Sequence, residues 1–206
     1  MGATIRQFRG LCFLLFLGML AGCATAEERF PIQISYQGEA PSLPRQEVEN
    51  RVVVFPFEDG RAETHLVGRH LHVFGQIDTF ESKEPVGKRV AELLVISLRQ
   101  RGWDARLADS GLSATGASDE GGKVLTDRVV TGKVQKLWAE AVSHVACTEI
   151  DANLAIRVEI QNLKSAEKTF LDIENQNDPR VLIFNPKFIQ ETLDELVSGG
   201  VNRVLP

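Results

Sequence analysis

The stretch IDANLAIRVEI, residues 150–160, alternates apolar and polar side chains more regularly than any other part of the chain. Successive side chains of a β-strand point to opposite faces, so the apolar residues of this stretch would share one face. Strict alternation is typical of a sheet with one covered and one solvated face. The stretch therefore predicts a long strand on one wall of the core.

Two further strands are predicted beside this one. Val130, Gly132 and Val134 begin the first, and Thr169, Leu171 and Ile173 mark the second, after a turn near residues 162–166. Each of these short runs with period two predicts a strand.

Upstream, the sequence predicts a strand, a helix and a second strand. The continuous apolar run of residues 52–55 indicates a strand covered on both faces. From about residue 84 to residue 101, apolar residues recur with a helical period, and Gly102 stands where helices commonly end. Alternation over residues 103–107 predicts a strand parallel to the first.

The chain closes with a predicted helix from about residue 186 to residue 203. Asn185 is a good cap, and Pro186 suits the first helical position. The resulting order is β-α-β-β-β-β-α. It predicts an α/β (α+β) fold, a two-layer sandwich in which two helices cover one face of a mixed sheet.

Three segments of the chain are expected to differ in role. Residues 1–22 are predicted to be a lipoprotein signal peptide, residues 23–50 a lipidated cysteine with a flexible arm, and residues 51–206 a single α/β domain. Within the arm, alternation over residues 30–36 allows a short strand, and Pro31 indicates a sheet edge. Two long irregular segments, 62–84 and 108–123, are expected to be loops.

Composition excludes some partners. The chain has 206 residues, of which 43% are hydrophobic and 25% charged, and its formal net charge is −5. These values are typical of a globular protein. A nucleic-acid partner is not expected, because it would require a cationic face.

The N-terminus indicates how the protein is held in place. A short basic segment with Arg6 and Arg9 precedes an apolar run, which ends in Leu20, Ala21, Gly22 and Cys23. This is the layout of a secretory signal, and the apolar run is too short to span a bilayer.

The four residues resemble the lipobox of bacterial lipoproteins. The resemblance implies that Leu20, Ala21 and Gly22 are recognised by the signal peptidase, and that Cys23 is lipidated and becomes the acylated N-terminus. Two or more acyl chains give stable anchoring. Ala24 is not the aspartate that retains many such lipoproteins at the inner membrane, so an outer-membrane anchor facing the periplasm is expected. A chance cysteine after an ordinary signal is the alternative.

Few residues indicate a metal-binding, anion-binding or catalytic site. His65, His70 and His72 lie within eight residues and are weak candidate ligands for zinc or copper, and solvated loop histidines are the favoured interpretation. Asp59 and Arg61 follow a buried strand, and the arginine could bind a carboxylate or phosphate. The favoured alternative is a turn in which Asp59 caps the backbone and Arg61 makes a local ion pair. No catalytic residues and no cofactor are predicted.

The other candidates for catalysis are His144 and Cys147. A Cys–His pair could act as a nucleophile, but residues three apart on a strand point to opposite faces, so the two would need a turn to meet. A small buried or edge hydrophobe is the simpler interpretation of the cysteine.

The order of lipobox, variable arm, strand 51–57, Asp59-Gly60-Arg61 and helix ending in Gly102 is similar to the YajG-type family of bacterial lipoproteins. The resemblance implies an envelope lipoprotein without assigned catalytic residues. We expect a non-enzymatic accessory module that docks a protein of an envelope assembly or transport system. The alternative is a small-ligand or lipid-binding carrier attached to an export or lipid-trafficking system.

Overall fold

The structure is a computed structural model that describes residues 27–38, 51–108 and 126–205. Its strands are β1 (Arg29–Ile32), β2 (Arg51–Val54), β3 (Glu58–Asp59), β4 (Leu66–Leu71), β5 (Ile77–Ser82), β6 (Asp104–Leu107), β7 (Arg128–Ser143), β8 (Thr148–Asn162), β9 (Lys168–Asn177) and β10 (Arg180–Val181). The helices are α1 (Val86–Gln100) and α2 (Pro186–Val201).

The long hairpin of β7 and β8 forms the centre of one mixed sheet. Along its edge away from β8, β7 pairs in parallel with β2, β3 and β4 in succession. On the other side, β8 pairs antiparallel with β7, β9 and β10. The edges carry β6, which is parallel to β2, and β1, which is parallel to β5. The predicted mixed sheet with two helices is confirmed.

The sheet has two ends, which carry different loops. We call the end at the turns 72–76 and 144–147 the hairpin end. There β4 turns into β5 and β7 turns into β8. We call the opposite end, where β2 and β7 begin at Arg51 and Arg128, the base.

Both helices pack on the same face and bury the alternating side chains of β8. The predicted set Ile150, Ala152, Leu154, Ile156, Val158 and Ile160 is buried. Leu93 and Leu94 of α1 and Leu193 and Leu196 of α2 are also buried in this core. Removing an apolar side chain of this size from water stabilises a fold by about 1.5–3 kcal/mol, which makes this layer the main source of stability.

The predicted helix ends are confirmed. The side chain of Asn185 accepts a hydrogen bond from the backbone N–H of Lys187 at 3.0 Å, and Pro186 occupies the first helical position. After α1, Gly102 has a φ of 90°, a conformation that favours glycine. Within the described ranges, neither helix is long and apolar enough to cross a membrane.

The segment 62–84 differs from the irregular loop expected there, because it contains the hairpin of β4 and β5. Val67 and Phe80 are fully buried in it. A register shift between Leu66 and Gly68 breaks the period of two, which is why the alternation is not visible in the sequence. Gly68 also lies so close to β7 that a Cβ would collide with the carbonyl oxygen of Ala139.

The N-terminal stretch forms the edge strand that Pro31 indicated. Ile32 at the end of β1 and Ile34 beyond it are buried in the core formed by the rest of the chain. The stretch is also fixed to α2, where the Asp194 carboxylate accepts the N–H of Ser35 at 2.6 Å. The folded body therefore includes residues well before Arg51. Of the predicted flexible arm at 23–50 the structure describes residues 27–38, and the predicted loop at 108–123 lies outside the described residues except for Ala108.

Candidate functional site at the hairpin end

Exposed apolar side chains concentrate at the hairpin end. Among the described residues, eight large hydrophobic side chains are exposed, and six of them lie in three loops at this end. Phe74 is 93% exposed, Val145 96%, Leu182 85% and Ile183 82%. Val73 and Ile77 complete the six, which we call the apolar tip. Large exposed apolar patches mark sites where proteins meet partners or membranes.

Strand register brings the three loops together. Leu71 at the end of β4 pairs with Val142 near the end of β7, so both strands leave the sheet at the same level. On the far side, Val181 of β10 pairs with Thr148 at the start of β8, and Leu182 follows immediately. The tip therefore combines residues more than a hundred positions apart in sequence.

The turn between β4 and β5 directs Phe74 outward. The N–H of Gly75 donates to the carbonyl of His72 at 2.9 Å, and the N–H of His72 donates to the carbonyl of Gln76 at 2.9 Å. Gly75 has a φ of 83°, which closes this tight turn and would strain another residue. These two hydrogen bonds hold the turn in place, and its apolar side chains remain exposed to solvent.

Beneath the tip lies a polar cluster of His70, His72 and Asp78. The Nε2 of His72 is 2.6 Å from Oδ2 of Asp78, and Nε2 of His70 is 2.8 Å from the Ser143 hydroxyl. The His70 ring also packs against Phe184, with centroids 3.8 Å apart. The cluster therefore ties β4, β5 and β7 to the segment that precedes α2.

His70 is held neutral by its surroundings. Its side chain is 3% exposed, and this burial lowers its pKa from 6.5 to about 4, with a smaller contribution from the nearby His72. Within the described part of the chain, its Nδ1 has no hydrogen-bond partner, and it lies 3.8 Å from Oδ2 of Asp78. A neutral imidazole with a free nitrogen is an electron-pair donor at physiological pH.

The same cluster contains the donor types of a metal site. One ligand atom each from His70, His72 and Asp78 lies within 4.8 Å of the others. Two imidazoles and one carboxylate suit zinc with an open fourth position. In the present geometry, however, the contacting atoms of His72 and Asp78 are joined to each other by a hydrogen bond. A metal would have to displace that bond.

Of the three candidate histidines, the structure brings two together. His65 is exposed, and its backbone carbonyl accepts the N–H of Ser82 at the other end of β4. Sequence reasoning missed Asp78, which belongs to the strand β5 that the irregular period concealed. A polar residue opposite the candidate histidines in a hairpin would have been the signal.

Asp59 and Arg61 form a local pair. The guanidinium donates from Nε and Nη2 to the two carboxylate oxygens of Asp59, both at 2.8 Å. Its remaining N–H groups donate to backbone carbonyls of Thr64, Leu66 and Leu137. Hydrogen bonding to Arg61 outweighs burial and lowers the pKa of Asp59. All five N–H donors of the arginine are engaged, which favours the local turn over an anion site.

His144 and Cys147 lie in the β7–β8 turn. The backbone N–H of His144 donates to the carbonyl of Cys147 at 2.7 Å, and the imidazole Nε2 is 3.8 Å from a carboxylate oxygen of Glu149. Cys147 is a half-buried free thiol. The turn that the pair would need does exist, but the histidine ring is oriented toward Glu149.

The chain enters the folded body at the hairpin end. The N–H of Glu28 donates to Oδ1 of Asp78 at 3.3 Å, and Arg29 pairs with Thr79 near the start of β5. The predicted lipidation site Cys23 and the recognition residues Leu20, Ala21 and Gly22 lie outside the described residues. They precede Glu27, so the predicted anchor joins the body beside the apolar tip.

A shallow cleft of about 340 Å³ lies at the base. Ile160, Leu171 and Val204 line it together with Arg128 and Arg203. Arg203 donates to the carbonyl of Glu174, and Arg128 lies 5.0 Å from the centroid of the Trp103 ring.

Comparison with known proteins identifies the fold. No protein-family model and no curated protein matches the sequence significantly. A DUF330-family protein of Xanthomonas campestris has a similar structure, with a TM-score of 0.54, 7% identity, and coverage of 85% of this chain and 91% of that chain. At this identity the likeness shows the fold alone.

Two other solved structures are similar at lower scores. The hypothetical protein CT253 of Chlamydia trachomatis has a TM-score of 0.42 and 13% identity, covering 76% of this chain and 96% of that one. The lipoprotein GNA1162 of Neisseria meningitidis has a TM-score of 0.36 and 10% identity, covering 75% of this chain and 97% of that one. Scores this low carry no argument about function.

Proposed function

We propose that this chain is a lipid-anchored lipoprotein of the bacterial cell envelope, and that its folded body is a non-enzymatic docking module facing the periplasm. The observation that carries the proposal is the sequence Leu20-Ala21-Gly22-Cys23 after a basic and an apolar segment. Acyl chains on Cys23 would hold the body at a membrane without help from the fold. The outer membrane is the proposed location, because Ala24 follows the cysteine.

The edge strand β9 offers a protein partner a place to pair. Strand β9 pairs only with β8 among the described residues, and most of its side chains are exposed. An unpaired edge can accept a strand from another chain. Charged residues such as Lys168 and Asp172 oppose indiscriminate pairing there. A partner with complementary charges along one strand fits this edge.

The supporting geometry favours binding over catalysis. Arg61 and Asp59 are engaged with each other, and His72 and Asp78 are joined by a hydrogen bond. The resemblance to the YajG type remains a prediction, since the structural comparison identifies a shared fold rather than that family.

Mass spectrometry of the N-terminal peptide tests the anchor. The mature protein is expected to begin at Cys23 and to carry the added mass of acyl chains, which Cys23→Ser abolishes. Cys12→Ser and Cys147→Ser are matched controls that leave the acylated peptide unchanged. The acylated mass is the deciding readout, because Cys23→Ser can stay membrane-bound through an uncleaved signal. An unmodified Cys23 in membrane-derived protein would refute the proposal.

The cleft at the base is the observation that favours the carrier alternative. Its volume of about 340 Å³ lies in the range of small-molecule sites, and its floor contains the apolar residues Ile160 and Leu171. Native mass spectrometry of the purified protein tests this alternative. A bound small molecule that is lost in a Leu171→Trp variant supports a carrier, and a ligand-free mass contradicts it.

A further inference from the structure

We propose that the apolar tip inserts into the surface of the lipid bilayer to which the protein is anchored. The six side chains of the tip then act as a second, non-covalent membrane contact and fix the orientation of the body. The inference rests on the proposed lipid anchor, because the anchor decides which surface the tip meets.

The chain outside the structure reaches the body beside the tip. Glu28 donates to Asp78, and Ile77 of the tip directly precedes that residue. Six residue steps separate Cys23 from Arg29 at the start of β1. A fully extended chain of that length spans only about 20 Å. A lipidated Cys23 would therefore keep the hairpin end within that distance of the membrane.

The other undescribed segments attach elsewhere. Gly38 follows Tyr36, whose hydroxyl donates to Asn202 after the end of α2, and Arg51 begins β2 at the base. Ala108 is hydrogen-bonded to Val54 of β2, and Thr126 to the carbonyl of Arg51. Neither segment starts or ends at the hairpin end. The N-terminal segment with the predicted anchor, rather than residues 39–50 or 109–125, therefore adjoins the tip.

The composition of the tip suits a bilayer surface. Phe74, Val145, Leu182 and Ile183 stand at loop ends, where polar side chains are the usual choice. Apolar side chains presented in this way bury themselves at the boundary between headgroups and acyl chains. Because the chain from Cys23 to Arg29 spans at most about 20 Å, an anchored protein keeps the tip close to this boundary.

Charge at the tip points to apolar rather than electrostatic binding. Glu149 is paired with Arg180 at 2.7 Å and faces His144 at 3.8 Å. His72 faces Asp78. The described loops of the tip carry no cluster of lysine or arginine that would attract anionic lipids. Insertion is therefore expected in phosphatidylcholine vesicles, and adding phosphatidylglycerol should not strengthen it.

Tryptophan quenching in reconstituted protein tests the insertion. The intact protein is incorporated into phosphatidylcholine vesicles with brominated acyl chains, which quench indole emission on contact. Phe74→Trp places the reporter in the tip. Phe170→Trp is the matched control, because Phe170 is 62% exposed on β9 and far from the hairpin end. The unmodified protein gives the baseline from Trp103 and Trp138.

We expect Phe74→Trp to lose emission well beyond the baseline and Phe170→Trp to match it. Equal quenching of the two variants would overturn the inference, whatever else contacts the tip. Capture of Phe74 by a protein, with no quenching, would overturn it in the same way. The acylated mass of the Cys23 peptide is recorded on the same sample. An anchored protein with an unquenched tip refutes the insertion alone, whereas a missing acyl mass refutes the anchor.

Discussion

The hairpin end and the open face of the sheet are both exposed, but their side chains differ in chemistry. On the open face, which is the face of β7–β9 away from the helices, charged groups pair across strands. Arg157 is 2.7 Å from Asp172, and Lys168 is 2.6 Å from Glu159. At the hairpin end, six large apolar side chains, those of the apolar tip, are exposed.

The difference shows which of the two surfaces gains free energy when it is covered. Paired charges on a sheet face are fully hydrated, and covering them would cost desolvation. Apolar loops gain free energy when water leaves them, at roughly 25 cal/mol for each Å². The open face is therefore expected to stay solvated, whereas the tip is expected to be covered by the membrane that we propose. Four predictions test this contrast, from the largest expected effect to the smallest.

The largest effect is expected in membrane affinity. The double variant Phe74→Ser/Leu182→Ser in the lipid-free chain 24–206 should bind phosphatidylcholine vesicles about a hundredfold more weakly than the same chain without substitutions. The estimate follows from roughly 1.4 kcal/mol, or about tenfold, for each buried apolar side chain. Vesicle co-flotation measures it.

The matched control for this prediction is Phe170→Ser on the open face, which should change the affinity little. All the core residues of the described body are retained in residues 24–206. Equal losses in the tip and open-face variants would show that exposure alone, rather than the tip, determines binding.

The second effect concerns the stability of the hairpin end at low pH. The folded-state pKa of His70 is about 4, below the 6.5 of a free imidazole. The unfolded chain therefore binds a proton between these values that the folded chain excludes. The contribution of His70 is complete above pH 6.5 and is lost as the pH falls to 4, which lowers the free energy of unfolding by on the order of 2–3 kcal/mol.

Urea unfolding at several pH values, with a chelator to exclude metals, measures this loss. His70→Gln should remove that part of the pH dependence. His65→Gln, which changes an exposed histidine, should retain it. A pH dependence unchanged in His70→Gln would show that His70 does not titrate as the structure indicates.

The third effect concerns the stretch that joins the anchor to the core. Asp194→Ala removes the acceptor of the Ser35 N–H at 2.6 Å and of the Gln190 side chain at 2.8 Å. Because burial raises the pKa of Asp194, part of its cost of desolvation is relieved at the same time. We expect a loss of about 1–2 kcal/mol.

Hydrogen exchange at Ser35 and Gln37 reports this loss locally, and faster exchange should appear there first. Glu195→Ala is the matched control, since Glu195 bonds an exposed asparagine side chain. Equal exchange in the two variants would mean that Asp194 does not fix the stretch.

The smallest effect is expected on the open face. Arg157→Ala breaks the exposed pair with Asp172, whose hydrogen bond lowers the pKa of the aspartate and raises that of the arginine. Exposed pairs of this kind contribute little to stability. Thermal unfolding should be unchanged within error, and so should vesicle binding. A clear fall in either would contradict the view of this face as a solvated surface.

Much of the fold could be predicted because its signals are local. The alternation of residues 150–160 predicted β8, and Asn185-Pro186 predicted the start of α2, since both depend on the preferences of adjacent residues. Gly102 likewise marked the end of α1. The hairpin of β4 and β5 was missed, because a register shift and the short strands hide its period.

The candidate site was predicted only in part. His70 and His72 stood out as neighbours in sequence, but Asp78 gained its role through pairing between β4 and β5. The apolar tip was not recognised, because its few apolar residues lie in three segments that are far apart in sequence and show no periodicity. Arg61 was correctly placed after a buried strand, yet only the positions of three backbone carbonyls showed that its donors are engaged.

The sequence by itself determined the period of the central strands, the ends of both helices and the lipobox-like residues 20–23, because each of these depends on side chains next to one another in the chain. The tertiary structure decided where the chain from the predicted anchor meets the body and which loops surround that point. Those features depend on register between residues far apart in sequence, such as Leu71 beside Val142, 71 positions away, and Val181 beside Thr148, 33 positions away. Register is set by packing of the whole sheet against its helices, which no local stretch of sequence contains.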